Sequence, residues 1–174
     1  MTSKGAASKP LHPATVHFPI AFIFLAVLLD VFSAVPLPKA LETCLPSPHD
    51  SPQATYFLLS LGLLTSIPAV LSGVAQAKKT IAKQGLHEVD GTTIKLKFKA
   101  LIGHALINDV VILGLTFVWW KRRSLPAGVL ELWMLVTEVV LAAMQLFAAG
   151  IGGKLVYQFG FGLAMGGQKS VKSV

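Results

Sequence analysis

Four apolar runs, at about residues 14–35, 55–77, 99–120 and 128–151, decide what this chain can become. Helical residues rise about 1.5 Å each, so a run of roughly 20 crosses the ~30 Å hydrocarbon layer of a bilayer. A segment in that layer must satisfy its own backbone, which leaves helices or closed barrels. These runs are too long and too uniformly apolar for barrel strands. The predicted fold is therefore all-α, an integral membrane bundle of four transmembrane helices in up-and-down order. Composition agrees: 53% of the 174 residues are hydrophobic, only 13% are charged, and mean hydropathy is +0.67. A soluble domain of this length could not bury that much apolar surface.

The organisation that follows is an N-terminal tail over 1–11, a transmembrane domain over 12–163 and a C-terminal tail over 164–174. The first run exceeds a signal-peptide core and lacks a small-x-small cleavage site, so it reads as a retained span. "PLPKALETCLPSPHDSPQ" is an irregular first connection, and the second, from Lys78 to about Lys97, carries the turn signal "DGTT". "KRRSLPAG" is a tight hairpin that makes spans three and four antiparallel neighbours. No internal repeat of the whole chain is visible. The small-residue pairs Ala69 with Gly73, Gly73 with Ala77, and Ala149 with Gly153 read as close helix contacts.

The formal net charge is +7, with a pI near 9.7. In a membrane chain this balance points to loops beside anionic lipid, so the lipid bilayer is the expected partner. No basic stripe interleaved with aromatics occurs, which argues against nucleic acid. Lysines of the termini and second loop, among them Lys4, Lys9, Lys78, Lys79, Lys83, Lys154 and Lys169, outnumber Lys39, Lys121, Arg122 and Arg123 on the other side. The positive-inside rule then places both termini in the cytoplasm. The lone cysteine, Cys44, excludes an intrachain disulfide, a CxxC pair and CxxCH haem attachment.

Ionisable side chains at membrane depth are expensive and mark functional candidates. Here they are His17, Asp30, His104, Asp109 and Glu138, with Asn108 as a neutral companion. Asp30 lies near the end of its span, where water or a loop lysine is in reach, and Glu131 reads as interfacial. His17 and His104 sit about 6 Å and about 8 Å into their spans from the same side, so both imidazoles are predicted in one layer. Asn108 shares the His104 face at i+4. Gly73 and Gly150 to Gly153 reach that layer from the other two spans, which leaves room for a cavity. Pro13 suits a first helical turn, and Pro19 should free the carbonyl near Thr15 and kink the helix beside His17. The plainer reading makes His12 a surface residue and His17 a hydrogen-bonded packing residue.

"HPATVHFPI" at 12–20, "GHALIND" at 103–109 and "GGKLVYQFGFG" at 152–162 together resemble the multi-pass membrane family known as domain of unknown function 2231. Its members show a His-Pro-x-x-Val-His-Phe-Pro-Ile opening, a His-x-x-x-Asn in the third span and a Gly-Gly-x-Leu-Val-Tyr-x-x-Gly-x-Gly close. The resemblance covers essentially residues 12–163 and marks His12, Pro13, His17, Pro19, His104, Asn108, Gly152, Gly153, Tyr157, Gly160 and Gly162. The long lysine-rich second loop departs from the family pattern. Some members are joined to Rieske or cytochrome-like domains, which implies electron transfer and a redox partner protein.

The foremost functional expectation is a b-type haem or related redox cofactor between spans one and three. Low-spin haem takes two axial ligands, and neutral imidazole commonly supplies them. His17 and His104 are the expected iron ligands, with His12 as a rival. Asn108 or Tyr157 would orient an imidazole or a propionate beside Gly152 and Gly153, and second-loop lysines would balance propionates. One alternative is a proton relay or transport component through His17, His104, Asp109 and Glu138. Another is a structural membrane protein with packing histidines, assembled as a homo-oligomer. A zinc or copper enzyme on His12, His17, His104 and Asp109 is the last. No HExxH, nucleophile elbow or P-loop occurs, so no catalytic residue is assigned.

Overall fold

The computed structural model of this chain describes residues 11–47, 49–125 and 129–161. Residues 1–10 of the expected N-terminal tail, the expected C-terminal tail over 164–174, and Gly162 of the last motif lie outside the described residues, and Leu11, the last residue of the expected N-terminal tail, opens α1. Six helices follow in order: α1 (Leu11–Thr15), α2 (His17–Ala34), α3 (Lys39–Glu42), α4 (Ser51–Gln84), α5 (Leu96–Arg122) and α6 (Leu132–Tyr157). Four segments are long and apolar enough to cross a membrane: Leu11–Ala34, Ser51–Gln84, Leu96–Arg122 and Leu132–Tyr157. No strand occurs among the described residues, and His87 and Ile94 form one isolated antiparallel bridge.

Local chemistry sets the helix ends. Pro19 has no N–H for the Thr15 carbonyl, and the first span is interrupted at Val16, one turn earlier. The Val16 N–H still reaches the His12 carbonyl at 3.2 Å, and the Ile20 N–H reaches Val16 at 3.3 Å. The two pieces therefore continue one another. Gly85 ends α4 at φ 66°, a left-handed value that side chains avoid, and Lys95 Nζ donates to its carbonyl at 3.2 Å. Gly160, at φ 69°, reverses the chain after α6. Phe161 then folds back, its N–H on the Leu155 carbonyl at 2.9 Å and its ring edge-on to Phe98 at 5.9 Å.

The long helices form a ring in which α2 packs on α4, α4 on α5, α5 on α6 and α6 on α2. The contacts pair low residue numbers with high ones, in keeping with the up-and-down expectation. Gly62 of α4 lies under Ile23, Gly114 of α5 under Leu141, and Trp119 of α5 donates to Ser60 of α4 at 2.8 Å. Ile23, Ala26, Val27, Leu59, Val111, Leu115, Leu141 and Ala142 fill the middle. Leu25, Phe57, Leu64, Leu113 and Phe147 face outward, as lipid-facing positions require.

The buried positions repeat although the residue identities do not. At one constant sequence offset, the buried Pro19, Ile23, Ala26 and Asp30 of α2 fall on Val111, Leu115 and Val118, all buried, and Arg122 of α5. At a second constant offset, Thr55, Leu59, Gly62, Ser66 and Ala69 of α4 fall on Met134, Glu138, Leu141, Gln145 and Ala148 of α6, and all ten are buried. The first offset also carries His12 onto His104, and the second carries Gly73 onto Gly152. The bundle is thus two helical hairpins, α1–α2–α4 and α5–α6, that bury the same register. Composition hides this, because burial in lipid constrains which face points inward far more than which residue occupies it.

Candidate functional site

One end of the bundle, the imidazole end, holds His12 and His104, both half-buried. His12 Nδ1 lies 2.9 Å from the Ala69 carbonyl of α4, and His104 Nδ1 lies 2.9 Å from the Ala148 carbonyl of α6. A carbonyl only accepts, so each Nδ1 carries the hydrogen, and in the neutral ring the lone pair is then on Nε2. Both rings lie on glycine. A Cβ on Gly73 would stand 2.9 Å from His12 Cε1, and one on Gly152 would stand 3.1 Å from His104 Cε1.

Polar neighbours hold each ring differently. Thr15 Oγ1 donates to the His12 carbonyl at 2.9 Å and meets Ser72 Oγ at 2.9 Å, while Ser72 Oγ lies 3.3 Å from His12 Nδ1. Asn108 Nδ2 donates to the His104 carbonyl at 2.8 Å and stands 3.5 Å from both ring nitrogens.

The opposite, carboxylate end holds a buried ionic cluster. Arg122 Nη2 pairs with Asp30 Oδ2 and lies 2.9 and 3.0 Å from the two oxygens of Glu138. Arg122, Asp30 and Glu138 are 8%, 4% and 2% exposed. Tyr56 stacks on Trp119 at 5.8 Å, and Arg123 covers the other partner of that stack at 5.3 Å. A cleft of about 550 Å³ opens at this end, with Asp30 and Arg122 in its wall beside Leu29, Phe32, Leu45 and Leu130.

The sequence expectations meet this geometry unevenly. His104 faces inward with Asn108 beside it, but His17 is exposed and does not join His104. The inward stripe of the first span runs through His12, Pro19, Ile23 and Asp30, and His17 falls off it by more than a quarter turn. His12, expected at the surface or as a rival ligand, takes the inward place. Asp109, the equivalent of His17 in the second hairpin, is likewise exposed, and Tyr157 is 87% exposed. In α6 the close approach is made by Ala148 and Gly152, one residue before the expected Ala149 and Gly153, and nothing lies within 4 Å of a Cβ on Gly153. Asp30 meets Arg122 instead of water or a loop lysine, a pairing without a local signal because the partners are remote in the chain. Among the described residues, no three or more His, Cys, Asp or Glu side chains converge as a metal cluster.

The profile of the family described as predicted membrane protein (DUF2231) matches residues 8–165. No curated protein and no solved structure matches the chain.

Proposed function

The chain belongs to the DUF2231 family of predicted membrane proteins, and we propose that it is an electron-transfer component whose cofactor is held by His12 and His104. The observation that carries this reading is the paired anchoring of two imidazoles by backbone carbonyls over glycines, with each Nε2 left free of the carbonyl that holds Nδ1. Hydrogen bonding at Nδ1 fixes tautomer and ring direction and raises the basicity of Nε2, as a metal-ligating histidine requires. Two protein ligands suit haem, whose macrocycle supplies the other four, better than zinc, which takes three or four from the protein. His12 and His104 would hold the iron, and the b-type haem, when bound, supplies a one-electron couple. Asn108 holds the backbone turn beneath His104, and Gly73 and Gly152 let both rings lie against their helices. Lys78, Lys79 and Lys154 follow these glycines along α4 and α6 and bring the positive charge that propionates need. A redox partner protein follows from the same reading.

Titrating the purified chain in detergent with hemin tests it. A Soret band and a reduced-minus-oxidised α-band at one equivalent are expected, lost in His12→Ala and in His104→Ala and retained in His17→Ala. A chain that stays spectrally silent, or that loses the bands with His17→Ala alone, overturns the assignment.

A second reading, a proton relay, draws on Glu138 and Gln145, buried two turns apart on one face of α6, with Gln145 Oε1 lacking a partner. It requires proton flux in vesicles from the haem-free protein.

A further inference from the structure

At the carboxylate end two acids face one base where water hardly reaches. With both acids ionised, the cluster of Asp30, Arg122 and Glu138 carries a net negative charge. Isolated buried charge is so costly that groups neutralise by proton uptake instead. The contacts agree with that count. Asp30 Oδ2 and both oxygens of Glu138 converge on one nitrogen, Arg122 Nη2, which sets the two carboxyls side by side. Carboxylates only accept, so two that crowd one guanidinium nitrogen repel each other unless one of them carries a hydrogen. Glu138 Oε1 has no hydrogen-bond donor in line, although Arg122 Nη2 is 2.9 Å away, and Arg122 Nε is also buried without a partner.

Among the described residues, no cation besides Arg122 is ion-paired with Asp30 or Glu138; His49 pairs with Asp50. Lys121 lies over the rings of Phe117 and Trp120, and Arg123 over Trp119. The buried polar side chains in the first turns of α4, Ser51 and Thr55, do not titrate in this range. Glu131 accepts from Trp133, and Glu42, the remaining titratable group in the cleft wall, adds negative charge. The cleft also gives the cluster an exit, because Asp30 and Arg122 line it.

We propose that Asp30 and Glu138 share one exchangeable proton, which makes the triad a proton-binding site that fills and empties through the cleft at the carboxylate end. The site stands apart from the imidazole pair and does not depend on the cofactor reading. Loading gives a neutral cluster; release leaves Arg122 balancing two carboxylates.

Infrared spectra of the full chain in detergent test the proton directly. At neutral pH a protonated-carboxyl C=O stretch that shifts in D₂O is expected, lost at alkaline pH and absent from Glu138→Gln, whose neutral amide should leave the melting temperature near that of the wild type. Absence of the band from the wild type at neutral pH overturns the proposal. Labelling by dicyclohexylcarbodiimide needs no variant. A protonated carboxyl adds across a C=N bond and the adduct rearranges to an N-acylurea, so the whole reagent is retained and nothing leaves. Mass mapping should find the adduct on Glu138 or Asp30 at neutral pH and at least tenfold less at alkaline pH. No adduct there, or labelling indifferent to pH, overturns the shared proton. Leu45→Trp, which fills the cleft, should slow labelling about tenfold; an unchanged rate overturns the cleft as the route.

Discussion

The two hairpins bury the same register, yet they agree at one end of the bundle and differ at the other. At the imidazole end each presents the same device, a histidine bonded to an alanine carbonyl over a glycine one turn on. At the carboxylate end the equivalent residues are opposite in charge, Asp30 in one hairpin and Arg122 in the other, and Leu59 is answered by Glu138. Equivalent positions that meet across a bundle cannot both be acids or both be bases, since like charges in a low dielectric repel. Neutral imidazoles carry no such conflict. What stays alike in the two halves and what diverges follows from which groups can face their own equivalents.

The strongest test of that comparison is Arg122→Met. It removes the one cation between two buried carboxyls, and truncating one partner of a buried pair costs about 3–5 kcal/mol. Thermal unfolding in detergent should show the largest loss of any single substitution in the bundle. The exchange Asp30→Arg with Arg122→Asp keeps the charge count and places each residue at the other's equivalent position. It should recover more than half of the loss; a double variant as unstable as Arg122→Met would mean that the two positions are not equivalent.

Glycine substitutions give the next effect in size. A Cβ at Gly73 meets His12 Cε1 at 2.9 Å and one at Gly152 meets His104 Cε1 at 3.1 Å. Overpacking of this kind costs about 1–3 kcal/mol. Gly73→Ala should therefore exceed Gly152→Ala, and both should weaken hemin binding. Gly153→Ala meets nothing within 4 Å and should be neutral or gain up to about 1 kcal/mol from helix propensity. Equal effects at Gly152 and Gly153 would break the match between the halves.

The fold was legible because lipid demands long, self-satisfied apolar segments, and that demand is written in consecutive residues. The site was legible in part. His104 and Asn108 were placed together by a spacing of four within one helix, which sequence shows directly. The choice of His12 over His17 was not legible, because it depends on which face of the first span meets α4, and that face is nearly as apolar as the one meeting lipid. Asp30 with Arg122 and Glu138 escaped for a different reason. Arg122 stands in "KRR" and counted as a loop cation, whereas it lies within the bundle. Withdrawing it from the loop charges increases the Lys and Arg asymmetry between the two sides.

The smallest effect concerns the segment that joins the halves. Between Gly85 and Lys95 the chain turns tightly, with the Glu88 N–H on the Thr93 carbonyl at 2.8 Å and Gly91 at φ 72°. Asp90 holds the turn by accepting the N–H groups of Thr92 and Thr93 at 3.0 and 2.9 Å and the Thr93 hydroxyl. The Thr93 hydroxyl, and then the two amides, hold the Asp90 carboxyl below its ordinary range. Its contribution is therefore present above the usual aspartate pKa and is lost as pH falls through the lowered value. Amide exchange at Thr92 and Thr93, corrected for intrinsic rates, should quicken on acidification, and Asp90→Asn should quicken it at neutral pH. Because Asp90 is exposed, neither change should shift global unfolding measurably. A shift there would mean that the turn fixes the two hairpins against one another, and their matching register would then depend on the connection as well as on the faces they bury.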